Sequence, residues 1–185
     1  PLDATPVVYL DGGPGGNTLS DLNLAYSQLF SDIASERPLV LYSQRGSRIS
    51  SPDLECEEVT EFQLDSLDDS SSLEEKSEEA LSLFEDCVQR LEVEGIDFDE
   101  VGTETAAQDL EAVKVALGYE SWNIYSLSYG TRLAQSYARL FPESIEAVVL
   151  DSVLPTVPEA AVGNLADNAD RAFSLVFDAC EADFE

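Results

Sequence analysis

The stretch NIYSLSYGTRLAQ, residues 123–135, decides how the chain is expected to fold. Its first half is a short apolar and aromatic run of strand length, and its second half repeats apolar residues at helical spacing. Ser128 and Gly130 lie between the two halves, where a strand that continues directly into a helix must turn sharply. The sequence therefore predicts a strand, a tight turn with Ser128 at its apex, and an amphipathic helix over 129–141.

A serine in such a turn has the surroundings that a nucleophile needs. The strained backbone requires small residues two positions before and two after it, and Ser126 and Gly130 occupy these positions. The turn exposes the Ser128 hydroxyl, while the N–H of Tyr129 at the helix start points to where an oxyanion would develop. We therefore predict Ser128 as a catalytic nucleophile and Tyr129 as one donor of an oxyanion hole.

A glycine-rich segment supplies the second half of this predicted site. The segment DGGPGG, residues 11–16, directly follows the apolar run VVYL, and a second oxyanion donor is expected in the loop after an earlier strand. Glycine lets the backbone approach a substrate closely, so the N–H of Gly12 or Gly13 is the candidate donor. A glycine-rich turn is often only a connection between a strand and a helix. The DGGPGG segment and the turn at Ser128 together indicate an active site more strongly than either does alone.

The rest of the chain alternates strands and helices, which indicates an α/β fold with a mostly parallel sheet and flanking helices. Short apolar runs without alternation are typical of strands that are covered on both faces. We predict strands at 5–10, 38–43, 122–126 and 146–151, and helices at 19–34, 73–92, 105–118, 129–141 and 164–181. Thr105 and Gln108 are spaced as a capping box for the helix at 105–118. Residues 47–104 interrupt the alternation with an acidic loop and one amphipathic helix.

Four segments together resemble the α/β-hydrolase branch that contains proline iminopeptidases and secreted tripeptidyl aminopeptidases. They are VVYLDGGPGG, YSQRGS, TAAQDLEAVKVALG and the long stretch WNIYSLSYGTRLAQSYARLFPESIEAVVLDSVLP. The resemblance runs over about residues 5–185 and covers the N-terminal part of the family. It implies an α/β-hydrolase fold that is incomplete at its C-terminal side, with a core over 1–163 and the start of a helical lid over 164–185.

The resemblance also implies roles for residues outside the turn. Arg45 and Gly46 match the QRG turn of the family, where their role is structural. Cys56 and Cys87 match an excursion that is disulfide-bonded in the secreted members, and Cys180 lies near the start of the lid. Without the resemblance, the third cysteine, Cys180, is either a buried free thiol or a thiol whose disulfide partner lies outside this sequence. An extracellular or periplasmic location follows, and a reduced cytoplasmic protein with three thiols is the alternative.

The chain departs from the family pattern at Ser126, Ser43 and Asp11, where a glycine, an aspartate and, in iminopeptidases, a histidine are usual. A larger departure is that the chain contains no histidine at all. Without a base that accepts its proton, the hydroxyl of Ser128 is a poor nucleophile at neutral pH. Asp151, at the end of a predicted strand, is a candidate catalytic acid, and a structural turn is the alternative for it.

Two functions remain open on the sequence. The first is the N-terminal part of a serine hydrolase whose histidine and aspartate come from a C-terminal polypeptide. Its substrate would be a short peptide, cleaved as by an aminopeptidase, or alternatively an ester. The second is a catalytically inactive hydrolase-like module that serves binding or structure. The isolated chain is expected to be inactive in either case.

Composition excludes several other functions. A net charge of −29, from 38 acidic and nine basic residues, argues against nucleic acid as a partner because phosphates would be repelled. Adaptation to high salt and an unusually acidic solvated surface explain this charge equally well. No apolar run is long enough to span a membrane. With no histidine and no CxxC pair, we expect no metal site, and we expect no cofactor.

Overall fold

Four parallel strands form a sheet in the part of the chain that the structure, a computed structural model, describes: residues 3–16, 18–19, 28–157 and 165–183. The strands are β1 (Val7–Leu10), β2 (Leu39–Tyr42), β3 (Trp122–Leu127) and β4 (Ile145–Asp151), and they lie in the order β2-β1-β3-β4. Each neighbouring pair is parallel. The four predicted strands and the predicted α/β class are confirmed, with strand ends that differ by one or two residues.

The α-helices lie between and after these strands along the described chain. They are α1 (Ser31–Glu36), α2 (Glu57–Asp65), α3 (Leu73–Val93), α4 (Thr103–Ala116), α5 (Tyr129–Leu140) and α6 (Leu165–Asp183). The helices predicted at 73–92, 105–118, 129–141 and 164–181 are confirmed apart from their ends. Half of the helix predicted at 19–34, residues 20–27, lies outside the described residues. Among the helices described, none has the length and apolar character that crossing a membrane requires.

The capping box predicted for α4 is wrong. Gly102 precedes the helix in an extended conformation, with φ −151° and ψ 170°, so Thr105 already lies inside the first turn. A capping box forms instead at the start of α3. There the Oγ of Ser72 accepts from the N–H of Glu75 at 3.2 Å, and the Glu75 carboxylate accepts from the N–H of Ser72 at 2.9 Å.

The excursion over 47–104 is held together by a disulfide between Cys56 and Cys87, whose Cα atoms are 5.7 Å apart. Cys56 directly precedes α2 and Cys87 is buried in α3, so the bond joins two helices where the sequence predicts one. Cross-linking residues separated by 31 positions stabilises a fold by about 3–4 kcal/mol in the chain-entropy model. Cys180 on α6 is an exposed free thiol, so the buried alternative is wrong.

The core lies between the sheet and helices α4 and α5. Trp122 and Ile124 of β3 are almost fully buried and pack in one cluster with Leu110 of α4 and Tyr137 of α5. All residues of β1 are buried, as expected for a strand covered on both faces. Within the described residues this expectation is wrong for β4, which lies at the end of the sheet and leaves Val149 52% exposed.

A buried lysine fastens α4 to the segment that leads into β4. The Nζ of Lys114, a residue that is 5% exposed, lies 3.0 Å from Glu111 Oε1 and donates to Ser144 Oγ at 2.7 Å. Tyr137 donates to the other oxygen of Glu111 at 2.5 Å. Burial acts to raise the pKa of Glu111, but hydrogen bonds from Tyr137, Lys114 and Ser144 outweigh it and hold the pKa below its ordinary value.

Glu111→Gln is therefore expected to destabilise the fold by about 2–3 kcal/mol at pH 7, because it leaves a buried ammonium without its counterion. A carboxyl group with a lowered folded-state pKa stabilises the fold above its unfolded pKa of about 4.3 and loses this contribution as the pH falls further. Urea unfolding measures the free energy of unfolding of wild type and variant, and the difference between the two should therefore become smaller below about pH 4.

Glu104→Gln is the matched control, since Glu104 forms an exposed ion pair with Arg139. It should change the free energy of unfolding by less than about 1 kcal/mol. A Glu111→Gln effect that is as small as this control, or that is the same at pH 7 and pH 3, would contradict the assignment.

Candidate active site

The order of the strands places two loops at one point of the sheet. From β1 the chain continues to β2 on one side, and it later returns to place β3 on the other side of β1. Leu10 at the end of β1 is in register with Ser126 near the end of β3. The loop that follows β1 and the turn that follows β3 therefore meet at a topological switch point, where open α/β sheets bind their ligands.

The turn at Ser128 is strained, as predicted from its position between strand and helix. Ser128 is exposed and has φ 52° and ψ −119°, a conformation that non-glycine residues seldom adopt. Its N–H donates to the carbonyl of Asp151 at 2.9 Å, and its carbonyl accepts from the N–H and the hydroxyl of Thr131 at 3.0 and 2.6 Å. Neighbouring elements thus hold the strained residue from both sides, and the hydroxyl is left open to solvent.

Gly130 is required by the close contact between α5 and β1. A Cβ at this position would lie 2.7 Å from the carbonyl oxygen of Asp11 and closer still to that of Leu10. The clash is with backbone, which cannot swing aside as a side chain can. The small residue expected after the nucleophile therefore lets the helix start directly against the end of β1.

Ser126 fits the position where a glycine would be usual. Its side chain is fully buried, and its hydroxyl donates to the carbonyl of Val149 in β4 at 2.9 Å. Burying a hydroxyl without a hydrogen-bond partner destabilises the fold, and the hydrogen bond to Val149 removes this penalty for Ser126. The departure from the glycine pattern is therefore compatible with the turn.

The glycine loop lies against the serine. A Cβ added to Gly12 would come within 3.1 Å of the Cβ and 3.5 Å of the Oγ of Ser128. The N–H of Gly12, however, donates to the carboxylate of Asp11 at 2.8 Å. Gly13 has φ 113°, and its N–H has no hydrogen-bond partner among the described residues. Of the two predicted donors, Gly13 is thus the one with an uncommitted N–H.

Tyr129 is the first residue of α5, so its N–H has no acceptor within the helix. Its phenol hydroxyl is hydrogen-bonded to the hydroxyl of Thr103 at 2.8 Å, which fixes the side chain against the start of α4. The N–H groups of Tyr129 and Gly13 therefore stay predicted as the pair that would stabilise an oxyanion.

Arg45 and Gly46 shape the loop after β2, and their described hydrogen bonds go to residues outside the serine turn. The guanidinium of Arg45 donates to both carboxylate oxygens of Asp109 at 2.5 and 2.6 Å, and it donates to the carbonyl of Glu100 at 3.0 Å. The hydrogen bond with Asp109 raises the pKa of Arg45 further above its ordinary value. Gly46 has φ 84°, and an added Cβ would lie 2.9 Å from the side chain of Leu54. Arg45 thus attaches the loop to α4, and Gly46 packs against Leu54.

Asp151 is adjacent to the turn through its backbone. Its carboxylate accepts hydrogen bonds from the hydroxyls of Tyr125 and Ser152, both at 3.1 Å. The bond to Asp151 raises the pKa of Tyr125, so the phenolate that could accept a proton is scarcer at neutral pH than for an ordinary tyrosine. The contacts give Asp151 a structural part in the turn, and its role as catalytic acid stays a prediction.

A cleft of about 400 Å³ opens beside the turn. The loops after β1 and β2 and the start of α4 form its walls, and Tyr129 and Arg132 of α5 line it. The sequence patterns above identify neither Arg132 nor the Thr131 hydroxyl as part of the site. Thr131 bridges the Ser128 carbonyl and the N–H of Leu154, a contact that periodicity alone does not reveal.

Comparison with known proteins identifies the family to which this arrangement belongs. A family model described as alpha/beta hydrolase fold matches residues 5–183. The tripeptidyl aminopeptidase of Streptomyces coelicolor is 29% identical over an alignment of 155 residues, and the match covers 80% of this chain and 28% of the relative. A serine protease of Mycobacterium tuberculosis is 41% identical over 54 residues, which are 29% of this chain and 10% of the relative.

Solved structures agree with the fold. An alpha/beta hydrolase enzyme from a Medee basin deep-sea metagenome library has a TM-score of 0.50 and 16% identity, and the match covers 85% of this chain and 40% of that protein. At this identity the likeness concerns the fold alone. The chain spans 28% of the length of the tripeptidyl aminopeptidase that it matches.

Proposed function

The chain belongs to the alpha/beta hydrolase fold family, and on this premise we propose that it supplies the nucleophile and the oxyanion donors of a serine aminopeptidase. One observation carries the proposal. Ser128 is an exposed serine in a strained turn at the switch point of the sheet, in contact range of the Gly12–Gly13 loop. Strain of this kind persists only where surrounding structure enforces it, and it is concentrated at functional sites.

The base that activates Ser128 comes from another polypeptide segment in this proposal. The 185 residues contain no histidine. Tyr42 is no substitute, since burial, reinforced by Asp109 and opposed by Arg45, raises its pKa above the ordinary value and keeps the phenol protonated at neutral pH. The relatives are more than three times as long as the matched segment, and β4 leaves apolar side chains such as Val149 exposed at the end of the described sheet. A histidine- and aspartate-bearing partner segment would complete the triad.

The reaction is acyl transfer to water through an acyl-enzyme. The Oγ of Ser128 attacks the scissile carbonyl carbon while the partner's base takes the hydroxyl proton. The N–H groups of Tyr129 and Gly13 stabilise the oxyanion that forms. The base then gives the proton to the amine as the C–N bond breaks. In the second half, the base takes a proton from water as water attacks the acyl carbon, and it returns this proton to the Oγ of Ser128 as the bond between Ser128 and the acyl group breaks.

Short peptides with a free N-terminus are the proposed substrates. The names of the relatives, a tripeptidyl aminopeptidase and a serine protease, support a peptide bond as the point of cleavage. An ester substrate of the same site is the second choice. The disulfide between Cys56 and Cys87 supports an extracellular or periplasmic location, because oxidising compartments retain such bonds.

Two measurements on the native protein test this function. Intact-mass spectrometry under reducing and non-reducing conditions should find a histidine-containing polypeptide associated with the chain. The preparation should hydrolyse arylamides of short peptides with a free N-terminus and leave their N-acetylated counterparts intact. A native preparation without such a polypeptide, and without hydrolysis of arylamides or esters, would overturn the proposal and favour a non-catalytic binding module.

A further inference from the structure

Arg132 is a half-buried cation that lines the cleft beside the serine turn. Acidic residues outnumber basic ones by 38 to nine in this chain, and five basic side chains form ion pairs within the described residues. The described ion pairs include Arg45–Asp109, Arg48–Glu55, Arg90–Glu58, Lys114–Glu111 and Arg139–Glu104. Arg132 has no such partner within the described residues, although it lies on the same helix as Arg139.

The position of Arg132 directs its side chain toward the proposed reaction centre. Arg132 lies in the first turn of α5, and Ser128 directly precedes this helix. Helical side chains lean toward the N-terminus, and α5 begins at the serine turn. Tyr129, which shares the cleft lining with Arg132, supplies a proposed oxyanion donor. A group bound by the guanidinium would therefore lie within one helical turn of the acyl centre.

We propose that Arg132 is a specificity-determining residue that binds a carboxylate of the peptide substrate. A guanidinium matches a carboxylate with two parallel hydrogen bonds, and partial burial strengthens this interaction by reducing the competition from water. The strongly acidic surface repels anions elsewhere, and Arg45, which also lines the cleft, is already paired with Asp109, so Arg132 is the cation that provides discrimination. The carboxylate is either the C-terminus of a short peptide or an acidic side chain. This inference rests on the proposed function for its substrate class.

Equilibrium binding tests the inference without requiring turnover. Ser128→Ala serves as the background, so bound peptides stay intact, and NMR titration measures the dissociation constants of millimolar binders. The probes are Ala-Ala-Ala, its C-terminal amide, and the amide of Ala-Ala-Glu. Arg132→Gln should weaken binding of at least one carboxylate-bearing probe about tenfold and leave the Ala-Ala-Ala amide unchanged. Arg132→Lys should retain part of the affinity, because it keeps the charge without the planar fork.

The probes also separate the two sources of the carboxylate. A loss confined to Ala-Ala-Ala assigns the substrate C-terminus, and a loss confined to the Ala-Ala-Glu amide assigns an acidic side chain. Arg139→Gln is the matched control on the same helix and should change no dissociation constant. Equal affinity for acid and amide, an equal loss in Arg139→Gln, or no binding by any probe would overturn the inference. Because binding is measured without the nucleophile, these outcomes are separate from a failure of Ser128 to react.

Discussion

Ser128→Ala is expected to abolish covalent labelling of the native protein by a fluorophosphonate and to lower kcat/KM for peptide arylamides at least about 10³-fold. The substitution removes one oxygen from an exposed turn, so the fold should be retained. Its effect is large because attack by the serine oxygen is the step on which the acyl-enzyme depends.

Ser121→Ala is the matched control for this loss. Ser121 lies just before β3, at the opposite end of the strand from Ser128, and its hydroxyl donates to Glu146 at 2.9 Å. Labelling and hydrolysis should be retained in this variant. Arylamide hydrolysis by Ser128→Ala at the wild-type rate would show that the reaction uses another nucleophile.

Gly130→Ala is expected to destabilise the fold by about 2–4 kcal/mol and to eliminate labelling of Ser128. Alanine exceeds glycine in helix propensity by about 1 kcal/mol, so helix propensity alone would predict that Gly130→Ala stabilises the fold. The steric term wins, because the new Cβ would lie 2.7 Å from the carbonyl oxygen of Asp11 and nearer to that of Leu10. Relieving this overlap requires α5 to move away from β1, and the serine turn moves with it.

Gly102→Ala provides the comparison, since an added Cβ there meets no atom within 4 Å. Its free energy of unfolding should stay within about 1 kcal/mol of wild type. Urea unfolding of both variants measures the difference. A Gly130→Ala protein that is as stable as wild type and is labelled at the same rate would mean that the contact between α5 and β1 is not as close as described.

The features predicted correctly from the sequence are those determined by local residue order. Apolar runs of strand length, interrupted by glycine and serine, locate β1 and β3 within two residues. The same local order places Ser128 at a turn that the structure finds strained. Such features depend on neighbours within one or two turns of chain, which periodicity and turn residues describe well.

Features that depend on distant contacts could not be predicted in this way. Asp109 lies 64 positions from its partner Arg45, and no local pattern links them. Thr105 has the spacing of a cap, yet the extended backbone of Gly102 starts the helix earlier. The sequence gives no reason to prefer the N–H of Gly12 or that of Gly13 as the oxyanion donor. In the structure the Asp11 carboxylate accepts from the N–H of Gly12, which distinguishes the two. These outcomes follow from three-dimensional proximity, which overrides local propensity.

The most direct test of the account is to react the native protein with a fluorophosphonate and locate the adduct by peptide mapping. We predict a single phosphonylated residue, Ser128, and loss of the adduct when the protein is unfolded before reaction, since activation of the hydroxyl depends on the folded site. Hydrolysis of peptide arylamides or esters by a protein whose Ser128 stays unmodified at saturating reagent would contradict the claim that this serine is the nucleophile.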